Sequence, residues 1–140
     1  MAAMAPSHTT NPALRLTASH IGADQRAEIQ TLTRLLAQWD EPTAPGGHDH
    51  HAGMDTDMAG SGMNGMVDQA TLAELQTLSD GAFDTLWVQS MIGHHKGAVA
   101  MAQTEIADGQ NSDAIQMSRL IVTTQQREIA YLNHLVSATE

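Results

Sequence analysis

The stretch that decides the fold is Met91-Ile-Gly-His-His-Lys-Gly-Ala-Val-Ala-Met-Ala102, which lies in a long run without proline. At about 100° per residue, its apolar side chains and the adjacent His94 and His95 share one face of a helix. The stripe extends in both directions and predicts a helix from about residue 82 to 107. No segment alternates with period two, so the whole chain is predicted to be all-α.

Three further helical patterns accompany this helix, at about residues 11 to 39, 68 to 79 and 112 to 138. The loop Asp108-Gly-Gln-Asn111 is so short that the last two helices must pack antiparallel. Ser112 is predicted to cap the start of the last helix, and Gly81 to follow the end of the short one. The prediction is a small up-down bundle of three long helices and one short helix.

The first predicted helix repeats the last one at an offset of one hundred positions. The identical pairs are Asn11 and Asn111, Ile21 and Ile121, Gln25 and Gln125, Glu28 and Glu128, Ile29 and Ile129, Leu32 and Leu132, and Leu35 and Leu135. The helix with the two histidines has no such copy. We therefore expect residues 1–45 to be the remnant of a first repeat, 46–67 a linker and 68–140 the second repeat. A fragment of a longer protein, or a partner chain that supplies the missing helix, would each explain the pattern.

The composition excludes several classes of function. Sixteen acidic and six basic side chains give a net charge of -10. This charge repels phosphate backbones and argues against nucleic-acid binding. No apolar run reaches the roughly 18 residues of a membrane-spanning helix. Cysteine is absent, which removes thiolate ligands and disulfides, whereas nine methionines and eight histidines are available as metal ligands.

Many of these ligands are concentrated between residues 46 and 66, in the stretch GGHDHHAGMDTDMAGSGMNGM. Its glycine content and lack of large apolar residues other than methionine predict a flexible linker. Thioether sulfur prefers Cu(I) or Ag(I), and imidazole adds capacity for Cu(II). The candidate ligands here are His48, His50, His51, Met54, Met58, Met63 and Met66. The alternative is a low-complexity linker that is only incidentally rich in these residues.

A second candidate site lies between the last two predicted helices. Gln125 and Glu128 interrupt the apolar stripe of the last helix, as the histidine pair interrupts that of the preceding one. Folding the hairpin about its loop places His94 opposite Gln125 and Met91 opposite Glu128. The candidate ligands are His94, His95, Met91, Met101 and Met117, with Gln125 and Glu128 behind them to orient the imidazoles. The alternative is a buried hydrogen-bond network in which these polar groups only satisfy one another.

Enzymatic chemistry has little support in the sequence. No glutamate is followed three residues later by histidine, as a di-iron bundle would need, and the His-Glu-x-x-His pattern of zinc proteases is absent. No triad of nucleophile, base and acid and no glycine-rich phosphate loop stands out. A non-enzymatic protein is therefore the expectation.

Together, Phe83-Asp84, the motif Met-Ile-Gly-His-His at 91–95 and Ile121-x-x-x-Gln-x-x-Glu-Ile129 resemble a known family. It is a class of bacterial exported proteins with a domain of unknown function that includes CopM-type copper-binding proteins. The resemblance implies a ferritin-like bundle, an extracytoplasmic location and copper or silver binding, with His94, His95, Met91 and Met101 on the motif positions. The family commonly carries a complete first repeat with its own histidine pair, and often has methionine where this chain has Leu132.

We therefore expect a non-enzymatic Cu(I)- or Ag(I)-binding protein that sequesters or delivers metal in the periplasm or outside the cell. An export signal would then be absent from this chain. The alternative is a structural or interaction module whose histidine pair only completes a buried network, and a homodimer through the Gln25 and Glu28 face would belong to it.

Overall fold

The computed structural model describes residues 1–39 and 65–137. Its elements are a 3-10 turn at Ala2–Met4, α1 at Ala5–His8, α2 at Pro12–Gln38, α3 at Gln69–Thr77, α4 at Asp80–Asp108 and α5 at Ser112–Ser137. All regular structure in these two ranges is helical, which confirms the predicted all-α bundle of three long helices and one short helix. The two short N-terminal elements are additional to the prediction. In the described ranges, no helix combines the length and apolar character needed to cross a membrane.

The long helices α4 and α5 form the antiparallel hairpin that the short loop predicts. The side-chain oxygen of Asn111 accepts hydrogen bonds from the backbone N–H groups of Asp113 and Ala114, at 2.9 and 3.0 Å. The predicted cap at Ser112 is therefore wrong by one residue. Asn111 lies just before the first helical residue, where its short side chain reaches back to two backbone donors that have no partner within the helix.

The sequence repeat is also a structural repeat. Asn11 caps α2 as Asn111 caps α5, with its side-chain oxygen accepting from the backbone N–H groups of Ala13 and Leu14. Helices α2 and α5 run antiparallel, because residues near the start of α2 share a cavity with residues near the end of α5 and the converse holds at the other end. The two repeats are therefore related by an approximate two-fold axis between α2 and α5.

The core is formed by apolar residues from all of the long helices. Its largest members have 2% or less of their surface exposed, and they are Leu14, Ile21, Leu75, Phe83, Trp87, Met91 and Leu132. The single buried face of each helix matches the stripe spacing in the sequence. Since each fully buried aliphatic or aromatic side chain contributes about 1.5–3 kcal/mol, this cluster is the main source of the stability of the bundle.

The N-terminal residues cover the end of the bundle where α4 begins. The indole N–H of Trp87 donates to the carbonyl of Met1 at 3.2 Å, and the His8 ring stacks on Phe83 with centroids 5.1 Å apart. Nδ1 of His8 also bonds the carbonyl of Leu78, at 2.8 Å. Periodicity could not predict this segment, because it spans only two turns and these bonds are with residues seventy or more positions away.

The boundary between α3 and α4 differs from the sequence prediction. Helix α3 ends at Thr77, and Gly81 lies in the first turn of α4 rather than just beyond α3. The chain reverses instead at Asp80, which has a left-handed backbone with φ of 48°. Its carboxylate accepts hydrogen bonds from the backbone N–H and the hydroxyl of Thr10, at 3.0 and 2.8 Å, which helps to hold this conformation. These bonds also lower the pKa of Asp80 below its ordinary value.

The repeat provides a matched pair of mutations that tests the core. Leu132 is fully buried, whereas Leu32, its counterpart in the repeat, has 40% of its surface exposed. We expect Leu132→Ala to lower the free energy of unfolding by about 2–5 kcal/mol, because it leaves a cavity. Leu32→Ala should cost less than about 1 kcal/mol. Urea denaturation followed by circular dichroism measures both, and equal costs would contradict the assignment of the core.

Candidate functional site

The two adjacent histidines lie at the centre of α4 and face different surroundings. His95 is fully buried, whereas His94 is partly exposed. Their ring centroids are 6.1 Å apart and the ring planes are inclined by 71°. Successive residues on a helix point about 100° apart, so the pair presents one imidazole to the core and one to the surface of the bundle.

His95 is oriented by a carboxylate on α5. Its Nε2 lies 2.8 Å from Oε2 of Glu128, whose side chain is 14% exposed. An ionised carboxylate can only accept, so Nε2 carries a proton, and in the neutral ring Nδ1 then carries a lone pair. This Nδ1 is buried and has no hydrogen-bond partner in the part of the chain that the structure describes.

His94 is oriented by a backbone carbonyl at the end of the linker. Its Nδ1 lies 2.8 Å from the carbonyl oxygen of Gly65, which can only accept, so Nδ1 carries the proton. In the neutral ring, Nε2 therefore carries the lone pair. Gly65 has φ of 95°, and a Cβ at this position would lie 2.6 Å from Cα of Gly97. Only glycine allows the backbone to approach α4 this closely.

His94 borders a groove between α2 and α4, with α5 as its floor. The groove has a volume of about 400 Å³. Met101 and Glu105 lie on the same wall as His94, Gln25 and Glu28 lie on the opposite wall, and Gln125 is part of the floor. Met101 is 55% exposed, so its sulfur is accessible from the groove side of α4.

Glu28 joins the two repeats across the floor of this groove. The Nε2 amide group of Gln125 donates to Oε2 of Glu28 at 3.2 Å, whereas Oε1 of Gln125 is buried without a partner among the described residues. Burial raises the pKa of Glu28 above its ordinary value, and the nearby Glu128 carboxylate raises it further. The hydrogen bond from Gln125 lowers the pKa of Glu28 without cancelling the increase, and so does His95 when its ring is protonated.

The structure brings together only some of the predicted helical ligands. His94 and Met101 line one groove, whereas His95 and Met91 lie in the interior of the bundle and Met117 is buried on α5. These residues therefore do not form one compact cluster around both imidazoles. The thioethers divide between an accessible group on the groove and two buried groups.

The predicted pairing between α4 and α5 needs a correction. His94 and Gln125 do lie at the same level and line the same groove, but Gln125 bonds Glu28 rather than His94. Glu128 bonds His95, in agreement with its predicted role of orienting an imidazole. Equal distances from the loop place backbone atoms at equal heights, whereas the long glutamate side chain reaches a partner one helical turn farther along α4.

Most predicted ligands in the linker fall outside the described residues, namely His48, His50, His51, Met54, Met58 and Met63. Met66 is described and is 64% exposed. It borders a second cavity of about 270 Å³, together with Gly65 and His94. One thioether at the end of the linker therefore lies next to the imidazole that the linker carbonyl orients.

Two residues of the site were missed by sequence reasoning. Glu28 could have been found, because it is the repeat counterpart of Glu128, which was recognised as a polar interruption of an apolar stripe. Gly65 gives no such signal, because its role depends on contact with α4 about thirty positions away.

The described residues do not form a binding site for a hard metal ion. Within residues 1–39 and 65–135, no three imidazole or carboxylate side chains converge closely enough to hold a metal ion. A structural zinc site needs four ligands in tetrahedral geometry. The imidazole and thioether groups that are present suit a soft ion, which binds with only two or three ligands.

The fold and site define an all-helical bundle with a central histidine pair, each imidazole oriented by a different oxygen acceptor. The chain belongs to the DUF305 family, a domain of unknown function, whose model matches residues 1–136. Comparison with curated proteins gives no match.

Two crystal structures of this family resemble the chain along 98% of its length, each with a TM-score of 0.81. One is "putative secreted protein DUF305" from Streptomyces coelicolor, which is 23% identical in sequence. The present chain covers 80% of that protein. The other is a DUF305 fragment from Deinococcus radiodurans, which is 26% identical in sequence. The present chain covers 83% of that fragment. At 23% identity, the similarity to the Streptomyces protein shows the fold alone. Both structures agree with the helical bundle.

The orientation of the two imidazoles predicts opposite tautomers for adjacent residues. We expect long-range ¹H–¹⁵N NMR correlations at pH 8 to show the proton of His94 on Nδ1 and that of His95 on Nε2. In the Glu128→Leu variant, the signature of His95 should change while that of His94 persists. The same tautomer at both residues of the wild-type protein would contradict the described hydrogen bonds.

The raised pKa of Glu28 predicts a pH-dependent effect of Glu28→Gln. Its contribution to stability is fully present below the ordinary value of 4.5 and is lost as the pH rises through the higher folded-state value. Glutamine stays neutral and still accepts a hydrogen bond from Gln125. The variant should therefore melt at a higher temperature than wild type at pH 7, with the difference shrinking below pH 4.5.

Thermal melts at pH 4 and pH 7 measure this difference. Glu74→Gln, at an exposed position on α3, is the matched control and should change the melting temperature little at either pH. A difference for Glu28→Gln that is the same at both pH values would show that charge at residue 28 is not its cause.

Proposed function

We propose that this protein binds Cu(I) or Ag(I) and that it sequesters or delivers the ion outside the cytoplasm, without catalysing a reaction. The observation that carries the proposal is how hydrogen bonds orient the two histidine rings. Each ring has one nitrogen held by an oxygen acceptor and the other left with a free lone pair. Metal-binding histidines are typically oriented in this way, by a carboxylate or a backbone carbonyl behind the ring.

The sulfur atoms near these rings favour soft ions. Met101 shares the groove with His94, Met66 borders the adjoining cavity, and Met91 lies one turn from His95 on the same face of α4. One imidazole and one or two thioethers are enough for Cu(I) or Ag(I), and they compete poorly for Mg²⁺ or Ca²⁺. His94 is the proposed primary ligand because its side chain is only partly buried, whereas His95 is fully buried.

The linker is proposed to deliver ions to His94. Its other candidate ligands are His48, His50, His51, Met54, Met58 and Met63, and its end lies against α4 at Gly65. The contact of Gly65 with His94 joins the end of the linker directly to the proposed primary ligand. Met117 is proposed only as a buried ligand of the bundle interior, together with Met91 and His95.

An extracytoplasmic location is also part of the proposal. One structural neighbour is titled a "putative secreted protein", and the chain has no cysteine that an oxidising compartment would convert to disulfide. Cu(I) and Ag(I) ions in that compartment would meet a protein with a formal net charge of -10, which attracts cations to its surface.

A structural module is the second candidate, and the existing hydrogen bonds favour it. His95 with Glu128, and Gln125 with Glu28, already form pairs that a core network would use. Two buried atoms nevertheless lack partners in the described ranges, Nδ1 of His95 and Oε1 of Gln125. A buried polar atom without a hydrogen bond lowers the free energy of unfolding by about 1–3 kcal/mol. A hydrogen-bond network that served only to stabilise the fold would therefore be expected to give both atoms a partner.

The test is an anaerobic Cu(I) titration against a coloured competing chelator. We expect wild-type protein to bind tightly, and His94→Ala to weaken the tightest site by at least about tenfold, since it removes the proposed primary ligand. His134→Ala, at an exposed position on α5, is the matched control and should leave the affinity unchanged.

A variant without residues 46–64 separates the linker from the bundle while keeping Gly65 in contact with His94. Tight binding that survives this deletion places the site on the helices. Binding that is lost with the linker, or that is unchanged in His94→Ala, would contradict the proposed role of His94. The absence of binding to the intact protein would favour the structural module.

A further inference from the structure

A cavity between α2 and α5, the α2–α5 cavity, lies apart from the groove beside His94 and shares no residue with it. It has a volume of about 380 Å³, and every residue in its wall belongs to α2 or α5. Leu16 and Tyr131 in this wall are 57% and 48% exposed, and Ile21 is buried. A mostly apolar cavity of this size with a few polar groups is typical of a binding site for a small molecule.

The described neighbours of α2 lie away from this cavity. The N-terminal turns pack on α2 at Gly22, where an added Cβ would lie 3.3 Å from Cβ of the residue it faces. At about 100° per residue, Gly22 points about 160° away from His20 and from Asp24, which both line the cavity. Trp39, at the end of α2, is about 22 Å along the helix from Asp24, and Gly65 contacts α4.

Two opposite charges line the α2–α5 cavity without pairing with each other. Asp24 belongs to the α2 wall and Arg127 to the α5 wall. Within residues 1–39 and 65–135, neither side chain makes a hydrogen bond or an ion pair. Arginine and carboxylate side chains form strong paired hydrogen bonds where they meet, so a contact that only stabilised the fold would be expected to join these two. Held apart across one cavity, they can each bind the opposite charge on a single ligand.

Glu128 is the least exposed charged residue in the wall of this cavity. Its side chain is 14% exposed, and its Oε2 accepts a hydrogen bond from His95. The same carboxylate therefore contacts a buried imidazole and borders the cavity. Together with Asp24, it places two negative charges in the wall against the one guanidinium of Arg127. A positive group is thus favoured beside the two carboxylates, and a negative group beside Arg127.

We propose that the α2–α5 cavity binds a small zwitterion, namely a free amino acid with an apolar side chain. The ammonium group of the ligand donates to Asp24 and Glu128, and its carboxylate accepts from Arg127. The apolar side chain of the ligand packs on Leu16 and on the ring of Tyr131. Each polar contact is a charge-assisted hydrogen bond, which is about twice as strong as a neutral one. The proposal concerns α2 and α5 alone and does not depend on metal binding.

Isothermal titration calorimetry of the intact chain tests the proposal, with L-phenylalanine as the probe. We expect saturable one-to-one binding. Phenethylamine lacks the carboxylate of the probe, and 3-phenylpropionate lacks its ammonium group. Each of these two compounds should bind at least about tenfold more weakly than L-phenylalanine, because each loses a hydrogen bond between charged groups.

The contact with Glu128 predicts a second signal, at the histidine pair. An ammonium group that donates to Glu128 shares this carboxylate with the Nε2–H group of His95. Saturation with L-phenylalanine should therefore shift the ¹H–¹⁵N NMR signals of the His95 ring. The signals of His94, which is oriented by Gly65, should stay unchanged. An unchanged His95 at saturation would contradict the contact with Glu128.

Variants of the chain locate the two charged contacts. Arg127→Gln should weaken binding of L-phenylalanine at least about tenfold and abolish its preference over phenethylamine. Asp24→Asn should weaken binding and reduce the preference over 3-phenylpropionate. Arg119→Gln, at an exposed position on α5 that does not line the cavity, is the matched control and should have no effect. Circular dichroism checks that each variant is folded, and both substituted cavity residues are exposed.

Absence of saturable binding to the intact chain would overturn the proposal, as would equal affinities for L-phenylalanine and its two singly charged analogues. Binding that both Arg127→Gln and Asp24→Asn leave unchanged would place the ligand elsewhere and would also overturn it. A chain without residues 46–64 should bind with the affinity of the intact chain, because the site is formed by α2 and α5. Binding by this shortened chain alone would show that the linker fills the cavity, which would equally overturn the proposal.

Discussion

The need to place an imidazole inside a helical hairpin governs the centre of this structure. His95 is fully buried, and among the described residues the carboxylate of Glu128 on α5 supplies the hydrogen bond that compensates for this burial. The hydrogen bond fixes the height at which α4 meets α5 and sets the orientation of the ring. The adjacent His94 is then directed to the groove, where Gly65 holds it from the opposite side. One polar contact in the core thus determines how a second imidazole is presented at the surface.

Much of this arrangement could be predicted from the sequence, and the failures have a common cause. The order of the helices and the common level of His94 and Gln125 follow from periodicity and a short loop, which are local properties. Glu128 was correctly predicted to orient an imidazole, whereas the bond of Gln125 to Glu28 was not predicted, because it joins residues almost one hundred positions apart. Gly65 and the bonds of Met1 and His8 could not be predicted, because each depends on residues far away in the sequence.

The repeat shows how the same residues can have two different surroundings in a duplicated sequence. In one copy, Glu128 orients the buried His95 of the helix that covers it. In the other, Glu28 faces a groove and draws its hydrogen bond from Gln125 across the two-fold axis. The same residues that complete a buried site in one half thus form an incomplete one in the other, and the difference arises from packing rather than from their chemistry.

The unequal exposure of the methionines has a consequence for oxidation. A peroxide or hypochlorite would reach Met101 and Met66 at the surface long before Met91 and Met117, which are shielded by the bundle. Conversion to the sulfoxide replaces a soft sulfur donor by a harder oxygen, so the accessible positions would lose affinity for soft ions while the helices stay packed. The metal capture proposed for the outer thioethers would therefore be sensitive to oxidative stress, and its recovery would require enzymatic reduction of the sulfoxide.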